Sequence, residues 1–417
     1  MASPGDIDLD TLSINSSRGN IDLASDKKLV VLGMNVYESA IDHHTYADVT
    51  VFDSNDVLGK NKFAGDETVD ISFKGAGQNT ATFKFAMLQN AEMKHTGAMK
   101  GKTYQLRMCS PELLKSQNKV INKSYHDQTS NIVKDVVENY WESEKKVEIG
   151  QETKAKQRIL GNSMHPHKFI DHLKDRHVSQ NYEEDGSAFS LFETRNSSGD
   201  QVIKFTTFKK MMDDDAGIEF SQDGTAGSKT SEGPDEKNIL NLHIPSSFLT
   251  PYRWNAPTAK SSYNLASGKQ QKEDKEFKDP KMPTSESPIS GQEKQKINKP
   301  SKEQKPIRHV VISPENDKDQ TYISQTKSYK SAVVARLGND VGWMEVYGNP
   351  DVRVGTTIKL KIPNKSSDNA GGQEETQITA KVLVIRVKHS MKPAGQSPRY
   401  TTIVEFIKAG FDQGVGS

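Results

Sequence analysis

Three runs near the C-terminus decide the fold: GWMEVYGNPDVRVGTTIKLKIPN at 342–364, ITAKVLVIRVKHSM at 378–391 and SPRYTTIVEFIKAG at 397–410. Each is rich in Val, Ile and Thr, the residues that suit a pleated, half-buried surface. Gly348-Asn349-Pro350 reads as a turn between two strands. Gly355 allows a tight entry into TTIKLKI. MKPAGQSP, at 391–398, supplies the hairpin between the two longest runs. Upstream, SYKSAVVARLGNDV at 328–341 begins as a helix and leads into the first strand.

Further out, residues 256–308 stand apart in composition. They are Lys, Glu, Gln, Ser and Pro with almost no aliphatics. Such a segment cannot offset its ordering entropy alone, so it is expected to need a partner to order it. Before it, ILNLHIPSSF at 239–248 is a strand candidate, and PYRWN at 251–255 interleaves Arg253 with Trp254. One such pair is a packing contact rather than a nucleic-acid surface.

The first part of the chain repeats the strand pattern. KLVVLGMNVYES (28–39), ADVTVFD (47–53), TVDISF (68–73), TATFKFAM (80–87) and KTYQLRM (102–108) alternate apolar and polar residues. Strands of similar length bounded by turn residues predict a small barrel or sandwich. KGAGQNT, at 74–80, reads as a hairpin turn and not a phosphate loop, since no Lys-Ser/Thr follows. Residues 1–27 carry little periodicity and many Ser, Asp and Asn, and are expected to be a flexible arm.

Between 116 and 185 the period changes. In DQTSNIVKDVVENYW (127–141), Ile132, Val133, Val136, Val137, Tyr140 and Trp141 form one stripe of an amphipathic helix, with Thr129 or Ser130 as its cap. MHPHKFIDHLKDRHV (164–178) predicts a second helix, with Pro166 in its first turn and Phe169, Ile170 and Leu173 buried. SAFSLFET and QVIKFTTFKK are strands joined by a turn at RNSSGD (195–200).

The predicted fold class is therefore mainly β with an α insert, α+β. It has two similar small β-barrel domains, a helical and β-hairpin insert, and a polar insertion. The expected division is 1–27 arm, 28–115 first barrel, 116–236 insert, 237–255 start of the second barrel, 256–326 polar insertion and 327–417 remainder of the second barrel.

Composition narrows the function classes. The 417 residues are only 33% hydrophobic, which favours modest domains over one large core. Lys and Arg number 56 against 55 Asp and Glu, so global charge argues neither for sequence-specific nucleic acid nor for an anionic membrane. No apolar run approaches the ~18 residues that cross a bilayer, and no basic, apolar leader opens the chain. A soluble protein made in a reducing cytosol is expected. The lone Cys109 excludes an internal disulfide and multi-thiolate metal sites, and reads as a buried or edge thiol.

Catalytic and metal motifs are weak. His165, His167, His172 and His177 crowd one helix but fan around it, so exposed or capping roles are expected and no metal is assigned. MMDDDAG (211–217) has three consecutive acids rather than the alternation of a calcium loop, and reads as a solvated turn. No G-x-S-x-G appears, and no acid–base pair of carboxylates can be singled out. No enzyme, cofactor or catalytic residue is expected.

The order of the C-terminal runs resembles the second barrel of bacteriophage tail baseplate hub proteins. These are trimeric hubs, related to the hub part of type VI secretion spike proteins. The carriers are Gly348, Pro350, Gly355, Val387, His389, Tyr400, Thr401 and Thr402. The Ser/Thr stretch before the helix at 127–141, and the helix, strand, turn and strand of 165–205, resemble the family's insert. The likeness spans about 28–255 and 327–410, and residues 256–326 depart from it. The resemblance implies a structural role without catalysis. A homotrimer would form a pseudo-sixfold ring joining a threefold central spike to a sixfold tail tube, with a channel for the genome. Implied partners are the spike, the tube, and baseplate wedge and tape-measure proteins, in a virion tail assembled in the host cytoplasm. The alternatives are a spike of a contractile secretion machine, which would carry a long β-helical repeat, and a tail-associated cell-wall hydrolase or carbohydrate-binding protein. A barrel for single-stranded nucleic acid is a further one, disfavoured by the neutral charge balance and by only three Trp.

Overall fold

The computed structural model describes residues 5–61, 63, 65–75, 78–93, 101–154, 156–222, 237–244, 258–264, 270–273, 307–313, 330, 333, 337, 341–363, 377–394 and 397–411. The N-terminal strands are β1 (Ile7–Ser16), β2 (Gly19–Asp22), β3 (Leu29–Ser39), β4 (Tyr46–Asp53), β5 (Thr68–Gly75), β6 (Ala81–Met93) and β7 (Lys102–Cys109), with one helical turn, α1 (Val57–Lys60), after β4. Alternation produces them directly. In β5, Val69, Ile71 and Phe73 are fully buried while the residues between them are half-buried.

Where it is described, from residue 5 onward, the stretch expected as a flexible arm (1–27) is instead ordered into strands. β1 pairs with β5 over most of its length and with β2 at its end, and Leu12, Ile14, Ile21 and Leu23 are buried. A register shift between Leu9 and Thr11 changes the phase of alternation within β1, which hides the strand from a period-two search.

The insert follows as α2 (Pro111–Gln117), β8 (Ser124–Asp127), α3 (Thr129–Asn139), β9 (Lys146–Ile149), β10 (Gln157–Leu160), α4 (Pro166–Arg176), α5 (Tyr182–Asp185), β11 (Phe189–Arg195), β12 (Gln201–Thr207) and α6 (Phe208–Asp213). Ile132, Val133, Val136, Val137 and Trp141 of the first stripe pack with Phe169, Ile170 and Leu173 of the second and with Leu191, Ile203 and Phe205 of the β11–β12 hairpin. The cap of α3 differs from expectation. Gln128 holds the cap position, the Thr129 and Ser130 side chains are buried, and the Ser130 amide donates to the Thr153 hydroxyl. MMDDDAG is also not only a turn, because Met211 and Met212 are buried on α6 before the acids begin.

The rest is β13 (Ile218–Ser221), β14 (Ile239–His243), β15 (Thr258–Asn264), β16 (Gln270–Glu273), β17 (Ile307–Ser313), β18 (Gly342–Tyr347), β19 (Thr357–Pro363), β20 (Gln377–Ala394) and β21 (Ser397–Phe411). Within the polar insertion, expected to have no order of its own, β15 pairs with both β16 and β17. The β-branched run IRHVVIS supplies one of these strands. PYRWN lies outside the described residues.

The mainly β fold with its α insert is as expected, and the two β halves share one curled sheet. Among the described residues it has 13 strands, running β14-β18-β21-β20-β3-β4-β7-β6-β5-β1-β2, with β19 beside β20 and β13 beside β19. The antiparallel pairing of β3 with β20 is the seam, where Val36 faces His389 and Glu38 faces Val387. Each half keeps its own core. Val36, Val49, Phe73, Phe83 and Leu106 belong to one, and Met344, Ile358, Val384 and Phe406 to the other.

Candidate functional site

The seam carries a buried polar network that joins the two β halves to the insert. Glu38 comes from β3, Arg195 from the end of β11, His389 from β20, and Tyr400 and Thr402 from β21. Arg195 Nη2 donates to Glu38 Oε1 at 2.8 Å and to the Val352 carbonyl at 3.0 Å, and Nη1 donates to the Pro350 carbonyl. His389 Nε2 lies 3.2 Å from Glu38 Oε1, and its Nδ1 lies 2.8 Å from the Tyr400 hydroxyl. Burial, with Arg195 beside it, lowers the His389 pKa despite its bond to Glu38, so the ring is neutral. One tautomer then satisfies it: Nε2–H donates to Glu38, and Nδ1 accepts from Tyr400.

Burial works against the Glu38 carboxylate, but Arg195 and His389 outweigh it and hold its pKa below the usual range. The Glu38–Arg195 pair is thus a fully desolvated ion pair whose remaining donors are satisfied by backbone carbonyls. The guanidinium also lies 5.2 Å from the centre of the Phe83 ring.

The turn after β18 closes over this network. The Gly348 amide donates to the Tyr400 carbonyl, and the Asn349 amide to the Thr402 hydroxyl. A Cβ on Gly348 would sit 1.9 Å from the Tyr400 ring, so only glycine lets the turn approach this closely. Gly348, Pro350, His389, Tyr400 and Thr402 therefore meet at one place. Val387 is buried beside them on β20. Thr401 pairs with Ser390 on the opposite face of the hairpin. Gly355 lies elsewhere, at φ +74° against Phe192 and Met211 in the second core.

A second lock sits where β7 meets the insert. The Ser110 hydroxyl lies between the carboxylates of Glu112 and Glu193, and Lys145 Nζ is 2.9 Å from Glu112 Oε2 and 3.1 Å from Glu193 Oε2. Thr45 Oγ1 donates to Glu193 at 2.7 Å. Burial opposes the Lys145 ammonium, but Glu193 and Glu112 outweigh it and raise its pKa. Lys145 therefore stays charged and is no base for the nearby serine. Cys109 ends β7 beside this lock, and burial first, then Glu193 and Glu112, push its thiol up to about 12. It is an inert core thiol.

No sequence motif singles out Glu38, Arg195, Glu193, Lys145 or Glu112, and the turn signal of RNSSGD covers Arg195. The available signal was a charge inside an apolar strand, as in SLFETR, all of which is buried. Of the crowded histidines, His165 and His167 stack at 5.9 Å between ring centres but bond different partners. His165 Nδ1 bonds the Lys119 carbonyl at 3.0 Å, His167 bonds Ser116 at 3.2 Å, and His177 is buried. Among the described residues, no cluster of three His, Cys, Asp or Glu side chains has metal-holding geometry.

No protein-family model and no curated protein sequence matches the chain. Solved structures do. The 43 kDa tail protein of prophage MuSo2 from Shewanella oneidensis is similar at a TM-score of 0.55 and 10% identity, over 96% of this chain and 98% of that one. A tail protein from Neisseria meningitidis is similar at 0.55 and 8% identity, over 95% and 96%. The chain thus shares its overall fold with these solved tail proteins.

Proposed function

We propose that the chain is the structural hub of a phage tail baseplate. In this reading it is a homotrimer whose two β halves per chain make a pseudo-sixfold ring. The ring joins a threefold central spike to the sixfold tail tube and leaves a channel for the genome. The observation that carries the reading is a fold shared with two tail proteins, one of them from a prophage, over nearly the whole of both chains. The buried networks support it. Their charged groups are spent on tying strands to one another, as a part that bears load between two assemblies requires.

Recognition is then spread over broad surfaces rather than a pocket. Partners are two further copies, the spike and the tube, with wedge and tape-measure proteins as neighbours, in a tail assembled in the host cytoplasm. The chain has no catalytic role in this reading. Its first barrel runs from β1 to about residue 115, its insert over 116–236, and its second barrel over 237–255 and 327–417, split by the polar insertion 256–326. Gly348, Pro350, Gly355, Val387, His389, Tyr400, Thr401 and Thr402 act in it as a folding motif.

Negative-stain imaging of the purified chain, alone and co-expressed with the neighbouring spike protein, tests the reading. End-on averages with threefold symmetry and six lobes around a lumen are expected. Monomers in both preparations would overturn it.

A further inference from the structure

The two β halves repeat one strand order. The first runs β3-β4-β7-β6-β5-β1 and the second β14-β18-β21-β20-β19-β13. Strand for strand, β3 corresponds to β14, β6 to β20 and β7 to β21. The pairings are antiparallel throughout both series except the last of the second, where β13 runs parallel to β19. The irregularities coincide as well. A bulge between Val31 and Gly33 of β3 recurs between Ile239 and Asn241 of β14. Another, between Met87 and Gln89 of β6, recurs between Val384 and Arg386 of β20. Aligning on either bulge places the buried pair Val49–Leu106 on the buried pair Met344–Val404. Patterning for a core does not by itself impose extra residues at two matched places.

The seam shows what one edge of this repeat binds. β20 runs on past β19, and beyond its bulge the edge Arg386–Met391 takes up β3 antiparallel. β6 runs on in the same way. Its pairing with β5 ends at Ala86, and beyond the bulge Gln89–Met93 pairs with β7 on one side and, among the described residues, with no strand on the other. Leu88, inside that bulge, is 47% exposed. β14, the counterpart of β3, pairs with β18 and with no other described strand over Ile239–His243. Open strand edges are templates for pairing with another chain.

Each chain therefore closes one such joint within itself and leaves open the two edges that would make a second. We propose that β14 of one copy pairs antiparallel with the Gln89–Met93 end of β6 of the next, repeating between copies the β3–β20 seam found within each. The proposal rests on the homotrimer reading above and names the surface by which the copies meet. The contact is heterologous, since each copy offers β14 to one neighbour and β6 to the other. Such contacts give a closed ring when the rotation between copies closes.

The seam also sets the register. Asn35 lies two residues past Gly33, Ser390 lies four past Arg386, and the two face each other. At the same distances from the matching bulges stand His243 and Met93. His243 is therefore expected opposite Met93 of the partner subunit, and Ile244 opposite Glu92 of the partner subunit, as Val36 is opposite His389. Facing residues of an antiparallel pair hold their Cβ atoms about 4.5–5.5 Å apart, within reach of a disulfide after a small adjustment.

Oxidative cross-linking of the full chain carrying His243→Cys and Met93→Cys together tests this, with copper phenanthroline as oxidant and co-expression with the neighbouring spike protein. A denaturing, non-reducing gel is expected to show covalent trimers that collapse to single chains on reduction. Either substitution alone should give none, because the buried Cys109 supplies no exposed thiol. His243→Cys with Gln89→Cys, four residues out of register, should link far less. Rings seen by imaging but without covalent trimers, or equal linking by the out-of-register pair, would overturn this joint and leave the hub reading standing. Monomers would overturn both. Should the double variant fail to fold, amide exchange of the unmutated assembly decides. Slower exchange at Gln89–Met93 and in β14 than in the dilute monomer supports the joint, and unchanged exchange there refutes it.

Discussion

Tyr400 donates its hydroxyl hydrogen to His389 Nδ1 at 2.8 Å, and both side chains are fully buried. The bond joins the two strands of the long C-terminal hairpin, and His389 passes it on to Glu38 of the N-terminal half. Tyr400→Phe keeps the ring and leaves His389 Nδ1 with only the longer 3.4 Å contact to the Thr402 hydroxyl. A loss of about 1–3 kcal/mol is expected. Urea denaturation should show a lower midpoint with an unchanged slope. An unchanged midpoint would mean that another donor reaches His389.

Gly348 is constrained by contact rather than by backbone angle. Gly348→Ala drives its methyl into the Tyr400 ring and forces the turn off the network, costing about 1–3 kcal/mol. Gly217→Ala is the control, because a Cβ there meets nothing within 4 Å. Thermal unfolding of the two variants should separate clearly.

The Glu38–Arg195 pair lies wholly out of water. Arg195→Met leaves a buried carboxylate without its cation and is expected to cost about 3–5 kcal/mol. Adding Glu38→Leu removes the stranded charge and should recover part of that loss. A double variant no more stable than the single would show that the lost carbonyl contacts at Pro350 and Val352, not the charge, dominate.

Glu193 and Glu112 give an acid limit to stability. Burial opposes each carboxylate, but Lys145 outweighs it and lowers both pKa values below the ordinary 4.5. The native state thus binds fewer protons than the unfolded one. Their stabilisation is present above about pH 4.5 and is lost as pH falls through the lowered values. Lys145→Met should abolish that limb of the stability profile and lower stability at neutral pH, which denaturation at pH 3.5–7 would reveal.

Deleting residues 1–22 should unfold the first β half, because Leu12 and Ile14 are buried in its core. Leu12→Ala alone is expected to cost about 2–5 kcal/mol. Exchange protection in β5, the neighbour of β1, reports the outcome. A stable, fully protected β5 in the deletion would restore the view of this stretch as an arm.

Periodicity made much of this protein legible. Val69, Ile71 and Phe73 announce β5, and Ile132, Val133, Val136 and Val137 announce α3, because alternation and a 3.6-residue stripe each follow from backbone geometry alone. Pro166 marks the start of α4 for an equally local reason. The order of short motifs around Gly348, His389 and Tyr400 points to the mainly β fold that the chain shares with solved tail proteins. Where the local signal broke, the reading broke with it. The bulge in β1 shifts phase between Leu9 and Thr11, and abundant Asp and Ser hid the apolar positions on either side.

Only the tertiary structure decided what the charged residues do. Glu38 and His389 are 351 positions apart, and Arg195 reaches both from the insert. Alone, each looks like a solvated strand residue. Their burial depends on β3 pairing with β20, an event between distant segments that no local pattern encodes. Once that seam closes, the desolvated charges must find one another, and the chain's two halves and its insert are held together by that requirement.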